Sequence, residues 1–273
     1  MILKNKTIIV TGGGNGMGRE MVLNLLERGN NVIALDINET ALQKTVELSG
    51  TKKNALATFV IDITQKEHID GLADKIVSVF GRVDGIINNA GIMQPFEQLN
   101  DMSFETVKKV FDINFYGTLY LIKAFLPHLL TRPEAHIVNV SSMGGFMPFP
   151  EQSIYGASKA AVKIMSESLA AELEETNVCV TTVFPGAIFT DIKINSGLSG
   201  VSASNCDKAP KGMTLPSVAV KTIFDGVEHN KSRIFVGKDA KMMNLLYRLN
   251  PNFACKMING QIKKMRNKIK NYN

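Results

Sequence analysis

A tyrosine and a lysine lie four residues apart at Tyr155 and Lys159, a spacing that puts both side chains on one face of a helix. Ser142 precedes the tyrosine by thirteen residues and follows an apolar run that is typical of a strand. A free tyrosine has a pKa of about 10, and a nearby ammonium group favours its phenolate. The spacing therefore predicts acid–base chemistry at Tyr155, although a surface pair of tyrosine and lysine would show the same pattern.

A glycine-rich segment at 11–18 separates a short β-branched run from a stretch with helical spacing. Glycines let the backbone approach a pyrophosphate, and a helix N-terminus offers it free N–H groups and a positive dipole. The next predicted strand ends at Asp36, where a carboxylate can accept a hydrogen bond from the 2′-hydroxyl of an adenosine ribose. Together these features predict a dinucleotide site.

The composition fits one globular domain. The chain has 273 residues, of which 45% are hydrophobic, an ordinary value for an α/β protein with a real core. No apolar run reaches about 18 residues, so we expect no transmembrane helix, and the first strand, from Thr7, leaves no room for a signal peptide. Cys179, Cys206 and Cys255 are odd in number and widely spaced, which indicates a reducing compartment and a cytoplasmic location.

The net charge of +6 is concentrated at the end of the chain. After Asp239 there is no acidic residue, whereas the basic ones are Lys241, Arg248, Lys256, Lys263, Lys264, Arg266, Lys268 and Lys270. The preceding residues are slightly acidic in total, which argues against a nucleic-acid-binding surface. The four histidines show no ligand spacing, and we predict no metal site.

Strand and helix patterns alternate along the chain. The predicted strands are 7–10, 31–35, 55–61, 83–88, 135–141, 178–184 and 233–236, and the predicted helices are 16–28, 39–48, 65–80, 103–112, 115–130, 153–175 and 216–229. This order predicts an α/β Rossmann-type, doubly wound, seven-stranded and mostly parallel sheet with helices on both faces. One domain is expected over 1–238, with an irregular loop at 191–215 near the carboxyl edge of the sheet, where ligands bind.

The chain resembles the short-chain dehydrogenase/reductase family in its single-domain alcohol dehydrogenase or ketone reductase form, over roughly 5–237. The motifs are Thr-Gly-x-x-x-Gly-x-Gly at 11–18, Asp62-Ile63, Asn88-Asn89-Ala90-Gly91, Asn114, Ser142, Tyr-x-x-x-Lys at 155–159, and Pro185-Gly186 through Thr190. The resemblance assigns cofactor binding to Gly12, Asn15, Gly16, Met17, Gly18, Asp36, Asp62, Ile63, Asn89, Ala90, Gly91, Tyr155, Lys159, Pro185, Gly186, Ile188 and Thr190.

The resemblance also implies four catalytic roles. Tyr155 exchanges a proton with the substrate oxygen, and Lys159 lowers the pKa of that tyrosine and binds the ribose. Ser142 orients the substrate oxygen, and Asn114 positions a water that links Lys159 to solvent. Other residues have simpler readings: Asp62 as a cap of a helix near Thr64, Asn88, Asn89 and Thr190 as turn or loop residues, Arg19 as a solvated side chain, and Cys179 as core.

The cofactor preference can be predicted in part. A carboxylate at Asp36 repels a 2′-phosphate, and neither Ile37 nor Asn15 is basic. We therefore expect NAD(H) rather than NADP(H).

The predicted substrate pocket is apolar, with Met93, Met143, Phe146, Phe149 and Ile192 around it. This favours a neutral, hydrophobic alcohol or ketone, such as a steroid or lipid-like molecule. Phe146 and Phe149 could instead pack beneath a lid.

Other functions stay open: a 3-oxoacyl reductase-like enzyme using NADP(H), a nucleotide-sugar epimerase or dehydratase, and a catalytically silent nucleotide sensor. A homodimer or homotetramer that pairs through 115–130 and 153–175 is expected from the resemblance. The extension over 239–273 is predicted to form helices at 239–249 and 253–270. The second is amphipathic and basic, and could touch an anionic membrane surface or dock on the body or a partner subunit.

Overall fold

A computed structural model describes residues 1–198 and 210–270 of the chain. The predicted loop residues 199–209, with Cys206, lie outside the described residues, as do the last three residues.

The described strands form one seven-stranded sheet in the order β3-β2-β1-β4-β5-β6-β7. Every neighbouring pair is parallel. The strands are β1 Thr7–Thr11, β2 Asn31–Asp36, β3 Leu56–Val60, β4 Gly85–Asn88, β5 Ala135–Val140, β6 Val178–Pro185 and β7 Arg233–Val236. The strand order reverses between β1 and β4, and open sheets of this kind bind ligands beyond the carboxyl ends of the strands at that point. The predicted doubly wound fold is confirmed, with a sheet that is fully parallel in the described residues.

Helices follow most of the strands and cover both faces of the sheet. They are α1 Gly16–Glu27, α2 Glu39–Ser49, α3 Lys66–Ile69, α4 Leu72–Phe80, α5 Phe104–Phe111, α6 Gly117–Leu130, α7 Ser153–Glu172, α8 Ile192–Asn195, α9 Pro216–Glu228, α10 Lys238–Leu249 and α11 Pro251–Lys270. One core lies between the sheet and α1 with α9, around Leu25 and Phe224. The other lies between the sheet and α4, α6 and α7, around Ile76 and Phe125.

Two predicted helix boundaries were wrong. The helix expected over 65–80 is divided at Gly71, whose φ of +75° is a left-handed conformation that glycine adopts without strain. The helices expected at 103–112 and 115–130 are continuous, because a π-helical turn over Asp112–Tyr116 joins α5 to α6. Such turns insert one extra residue and are frequent at functional sites.

The helices α10 and α11 pack on the body. Met243, Ala254 and Ile258 are buried in a third cluster with Met147 of the segment that follows β5. Along α11 the side chains are described up to Gly260 and at Ile262. Among the helices that the structure describes, none combines the length and apolar character needed to cross a bilayer.

Candidate active site

In the glycine loop between β1 and α1, the backbone at Gly12 and the backbone at Gly18 lie so close together that no side chain fits between them. A Cβ on Gly18 would overlap the carbonyl oxygen of Gly12, and a Cβ on Gly12 would lie 3.0 Å from Nδ2 of Asn89. Gly12 and Gly16 also have φ values of +67° and +51°, in the region that favours glycine. The loop therefore packs closely at the start of α1, and the N-terminus of a helix is where a phosphate can bind.

Asp36 ends β2 directly beside this loop. Its Oδ2 accepts a hydrogen bond of 2.9 Å from the N–H of Gly14, and its Oδ1 accepts one of 3.0 Å from the N–H of Asn38. Asn15 caps α1 through a 2.7 Å hydrogen bond from the N–H of Gly16, and Met17 packs against the core. The predicted ribose-binding carboxylate thus stands at the loop and helps to fix it.

Arg19 is half-buried against the same loop, so the predicted solvated position was wrong. Its guanidinium donates hydrogen bonds to the carbonyl oxygen of Gly14 and, over 3.1 Å, to Oγ1 of Thr45. The charges of Asp191 and Asp36 attract it. The contacts with the loop and α2 explain the burial, which helical spacing alone could not reveal.

The ends of β1 and β4 are joined by a threonine. Oγ1 of Thr11 accepts hydrogen bonds of 2.9 Å from the N–H groups of both Asn89 and Ala90, and Nδ2 of Asn89 donates to the Thr11 carbonyl over 3.0 Å. Asn88 lies within β4 and donates to Oδ1 of Asn139 over 2.8 Å. Asn89 therefore links the ends of β1 and β4, where the strand order reverses. A plain turn residue would not make these hydrogen bonds between strands.

Asp62 and Ile63 follow β3. Oδ1 of Asp62 accepts hydrogen bonds from the backbone N–H and the hydroxyl of Thr64, at 2.9 and 2.8 Å. This turn precedes α3 and resembles the predicted cap, although α3 begins only at Lys66. Ile63 is buried and packs on Gly117. A Cβ on Gly117 would lie only 2.7 Å from the side chain of Ile63, so the position requires glycine.

Asn114 lies in the π-helical turn and is fully buried. Its Oδ1 accepts a 2.8 Å hydrogen bond from the N–H of Ile92, and its Nδ2 donates to the Ile92 carbonyl and to Oγ of Ser158, each over 3.0 Å. The position of Asn114 in this turn thus lets its carboxamide bind both the segment after β4 and α7.

Lys159 is 3% exposed and lies behind this segment. Its ammonium donates a 2.9 Å hydrogen bond to the carbonyl of Val140, and burial lowers its pKa to about 8. The Lys159 ammonium and Oδ1 of Asn114 each lie 3.0 Å from the point where a Cβ on Gly91 would sit. Both groups therefore lie close to Gly91, and a water between them stays a prediction.

Ser142 follows β5, and its hydroxyl lies near the ring of Tyr155 on α7: a Cβ on Gly144 would lie 3.5 Å from Oγ of Ser142 and 3.4 Å from Cε1 of Tyr155. Ser142 also accepts a 3.0 Å hydrogen bond from the N–H of Gly144, which fixes the hydroxyl. Burial raises the pKa of Tyr155, and the nearby hydroxyl of Ser142 opposes that effect only in part. We expected Lys159 to lower the pKa of Tyr155, but in the structure this pKa is raised. The phenol is therefore protonated at neutral pH.

Gln94 holds the first turn of α7 and was missed in the sequence. The side chain is fully buried; Oε1 accepts a 2.7 Å hydrogen bond from the N–H of Tyr155, and Nε2 donates to the Glu151 carbonyl over 2.9 Å. Gln152 returns a hydrogen bond of 3.3 Å to the Gln94 carbonyl. In the sequence, the only indication was a glutamine just after the asparagine motif. Its partner, Tyr155, lies 61 residues away, so the spacing does not reveal the contact.

The Pro185–Thr190 segment extends from β6 to the glycine loop. A Cβ on Gly16 would lie 3.4 Å from Thr190, while Ile188 packs against the core and pairs with Thr214. Asp239 at the start of α10 accepts a 2.7 Å hydrogen bond from the N–H of Ala187, and its carboxylate occupies the space that a Cβ on Gly186 would need. Asp239, which the sequence assigned to the tail, is thus part of the site's support.

The segment after β4 also contacts α8. The N–H of Met93 donates a 2.9 Å hydrogen bond to Oγ of Ser196, and the ammonium of Lys193 lies 5.3 Å from the ring centre of Phe96. Ile192 begins α8 and is half-buried. Met93 and Ile192 therefore stand on two segments that meet over the site.

The three remaining pocket candidates pack largely on the body. Met143, Phe146 and Phe149 are partly buried against the third cluster. The ring of Phe146 lies edge-on to Phe184 and Phe235, with centroids 5.7 and 5.8 Å away. Phe146 and Phe149 thus pack on the body, while a contact with substrate and a lid above them both stay predictions.

The chain therefore brings a glycine cradle, a carboxylate beside it, and a serine, tyrosine, lysine and asparagine to one edge of the sheet. The cradle, closed to any Cβ, and the start of α1 fit a dinucleotide pyrophosphate. Beside it, a phenol next to a serine hydroxyl can exchange a proton with a carbonyl or alcohol oxygen.

Comparison with known proteins agrees with this arrangement. A family model described as short chain dehydrogenase matches residues 6–198. The "Putative oxidoreductase SadH" of Mycobacterium tuberculosis is 33% identical over 253 residues, covering 90% of this chain and 91% of that protein. A short chain dehydrogenase/reductase from Burkholderia phymatum in complex with NAD has a TM-score of 0.80 at 23% identity, covering 91% of this chain and 96% of that chain. A short chain dehydrogenase from Burkholderia cenocepacia in complex with NADP has a TM-score of 0.79 at 25% identity, covering 94% and 99%.

Proposed function

This chain belongs to the short-chain dehydrogenase family, and we propose that it is an NAD(H)-dependent oxidoreductase that interconverts a secondary alcohol and a ketone. The observation that carries the proposal is the placement of the Ser142 hydroxyl and the Tyr155 ring on either side of Gly144, where a Cβ would lie 3.5 and 3.4 Å from them, one helical turn from the buried ammonium of Lys159. Ser142 follows β5, the neighbour of β4, and so lies at the carboxyl edge of the sheet beside the point where the strand order reverses.

Proton transfer is assigned to Tyr155. In the reducing direction the protonated phenol donates its proton to the carbonyl oxygen as negative charge develops there. The hydroxyl of Ser142 donates a hydrogen bond to the same oxygen, which stabilises that charge in a site partly shielded from water. The nicotinamide cofactor, when bound, supplies or accepts the hydride.

Lys159 and Asn114 support the tyrosine. The ammonium of Lys159 is charged below a pH of about 8 and favours the phenolate that forms after proton transfer. A water between Lys159 and Asn114 would connect the phenol to solvent and restore its proton. A side chain at Gly91 would crowd both groups, because its Cβ would lie 3.0 Å from each.

The preference for NAD(H) rests on Asp36. The carboxylate stands beside the glycine loop, where it can bind a ribose 2′-hydroxyl and repel a 2′-phosphate. Arg19 favours the alternative, because it places a positive charge near the same carboxylate. A 3-oxoacyl reductase-like enzyme using NADP(H) is therefore the second candidate.

We expect an apolar, neutral substrate. The reason is the sequence of the segments that follow β4, β5 and β6 at the carboxyl edge of the sheet, which carry Met93, Met143 and Ile192. Homo-oligomers that pair through α6 and α7, and a cytoplasmic location, remain predictions; light scattering and fractionation test them.

A panel of hydrophobic ketones and alcohols, together with short 3-oxoacyl thioesters, tests the proposal by the change in NADH or NADPH absorbance. We expect turnover of an apolar ketone with NADH. Faster turnover of a thioester with NADPH would instead support the second candidate. Nucleotide binding without turnover of any compound would overturn both and indicate a silent nucleotide sensor.

A further inference from the structure

The helix α10 is apolar on two opposite sides. Its inner side carries Ala240 and Met243, which are buried, and Leu246 and Tyr247, which pack on the third cluster. Its outer side carries exposed residues at helical spacing: Met242, Leu245 and Leu249 are 51%, 59% and 75% exposed, and Phe253 at the start of α11 is 55% exposed. Within the described residues these four side chains belong to none of the hydrophobic clusters. A helix that is apolar on both sides has a second surface to bury.

Positive charge surrounds this outer face. Lys238, Lys241, Arg248 and Lys256 are all exposed on the same two helices. Asp239 is the last acidic residue of the chain, and it faces inward to the N–H of Ala187. The outer face therefore combines large apolar side chains with cations, and the rest of the chain to its end adds only positive charge.

The charge decides which partner fits. A symmetric dimer through this face would bring the same cations of two copies together, and like charges opposed across an interface are unfavourable. An apolar face flanked by lysine and arginine is typical of helices that lie in the interface of an anionic membrane. We propose that Met242, Leu245, Leu249 and Phe253 dock on an anionic lipid surface.

The proposed contact differs from the one expected from the tail sequence. That expectation used the apolar side of the helix over 253–270, but Ala254 and Ile258 on this side are buried against the body. The side chains of 263–270 lie outside the described residues. The lipid-facing residues are therefore mainly those of α10.

The docked face lies close to the proposed pocket. The inner sides of α10 and α11 pack on Met143, Phe146 and Phe149, which follow Ser142. If the proposed function is right, an apolar substrate dissolved in the bilayer would be collected next to the site. The docking itself does not rest on that function, because it is measured without turnover.

Co-sedimentation of the full-length protein with vesicles tests the proposal. One set of vesicles contains phosphatidylcholine alone, and the other contains phosphatidylcholine and phosphatidylserine in equal parts. We expect binding to the mixed vesicles at low salt and its loss at about 1 M salt, where the screening length is about 3 Å. The double variant Leu245→Gln/Leu249→Gln should bind the mixed vesicles at least about tenfold more weakly. The double variant Lys241→Gln/Arg248→Gln should weaken binding by a similar factor. The matched control is Val218→Gln on α9, which removes a side chain of 53% exposure and should bind like wild type.

Three outcomes would overturn the proposal. The first is the absence of wild-type binding to the mixed vesicles at low salt, or equal binding by the leucine double variant. The second is a change of oligomeric state in that variant by light scattering without any vesicle binding, which would identify a second copy of the chain as the occupant. Binding to soluble polyglutamate but not to vesicles would equally overturn it, in favour of an acidic protein.

Discussion

The side-chain oxygen of Gln94 accepts a hydrogen bond of 2.7 Å from the backbone N–H of Tyr155. The first N–H groups of a helix have no partner within the helix, and Tyr155 lies in the first turn of α7. The same glutamine also holds the carbonyl of Glu151 just before the helix. Ile92 and Met93, which precede Gln94, bind Asn114 and Ser196. One short segment after β4 thus connects the tyrosine helix, the buried asparagine and α8.

We predict that Gln94→Met lowers kcat at least about tenfold while the KM for NADH changes little. The methionine has a similar length but makes neither hydrogen bond, so the first turn of α7 and the phenol shift. Leaving the N–H of Tyr155 without a partner also costs about 1–3 kcal/mol of stability. The control is Gln98→Met, an exposed residue four positions later that should behave like wild type.

A purely structural role for Gln94 makes a different prediction. It would lower the melting temperature and the active fraction but leave kcat per folded, NADH-binding molecule unchanged. That result would remove Gln94 from the positioning of Tyr155.

The cofactor preference should depend on the charge of Asp36. We predict that Asp36→Asn lowers the ratio of kcat/KM for NAD to that for NADP by about tenfold or more, because the repulsion of a 2′-phosphate is lost. The amide oxygen can still accept from the N–H of Gly14, so the loop is kept. Glu39→Gln, an exposed acid at the start of α2, is the matched control. A wild-type enzyme that already prefers NADP would contradict the assignment.

The pKa of Lys159 sets an alkaline limit on ketone reduction. Because burial lowers this pKa to about 8, the ammonium loses its charge as the pH rises through that value. The phenol of Tyr155 stays protonated there, because burial raises its pKa. We therefore expect kcat/KM for ketone reduction to fall above a pH of about 8. A flat profile up to about pH 10 would contradict this role of Lys159.

The same shift has a consequence for stability. Between pH values of about 8 and about 10.5 the unfolded chain holds a proton on this lysine that the folded chain has lost. The contribution of Lys159 to the free energy of unfolding therefore increases with pH across that window. Lys159→Met should remove this slope, which urea titrations of the two proteins at several pH values would measure.

Much of the fold follows from local sequence patterns. The β-branched runs and glycine turns predict the strands of the sheet to within a few residues, because buried parallel strands have continuous apolar runs. The division at Gly71 and the π-helical turn at Asn114 were missed. The division at Gly71 depends on the backbone angle of one residue, which the sequence does not show. The π-helical turn leaves the hydrophobic pattern of the two helices unchanged, so nothing in that pattern reveals it.

The site was predictable wherever its residues form a motif close in sequence. Tyr155 with Lys159, and Gly12 with Gly18, are of this kind. Gln94, Arg19 and Asp239 support the site through partners that only the folded chain brings near, so their spacing carries no signal. The pKa of Tyr155 was expected to be lowered by its lysine, yet burial of the phenol raises it.

The most direct test of the account is Tyr155→Phe, measured both by single-turnover reduction of a ketone with NADH and by NADH binding. We predict that turnover falls by about a hundredfold to ten-thousandfold, the usual contribution of a general acid, while NADH binding changes by less than about threefold. Tyr120→Phe, which removes the hydroxyl of a half-buried tyrosine on α6, should leave both values unchanged. If Tyr155→Phe kept more than about a tenth of the wild-type rate, Tyr155 would not be the proton donor and the central claim would be wrong.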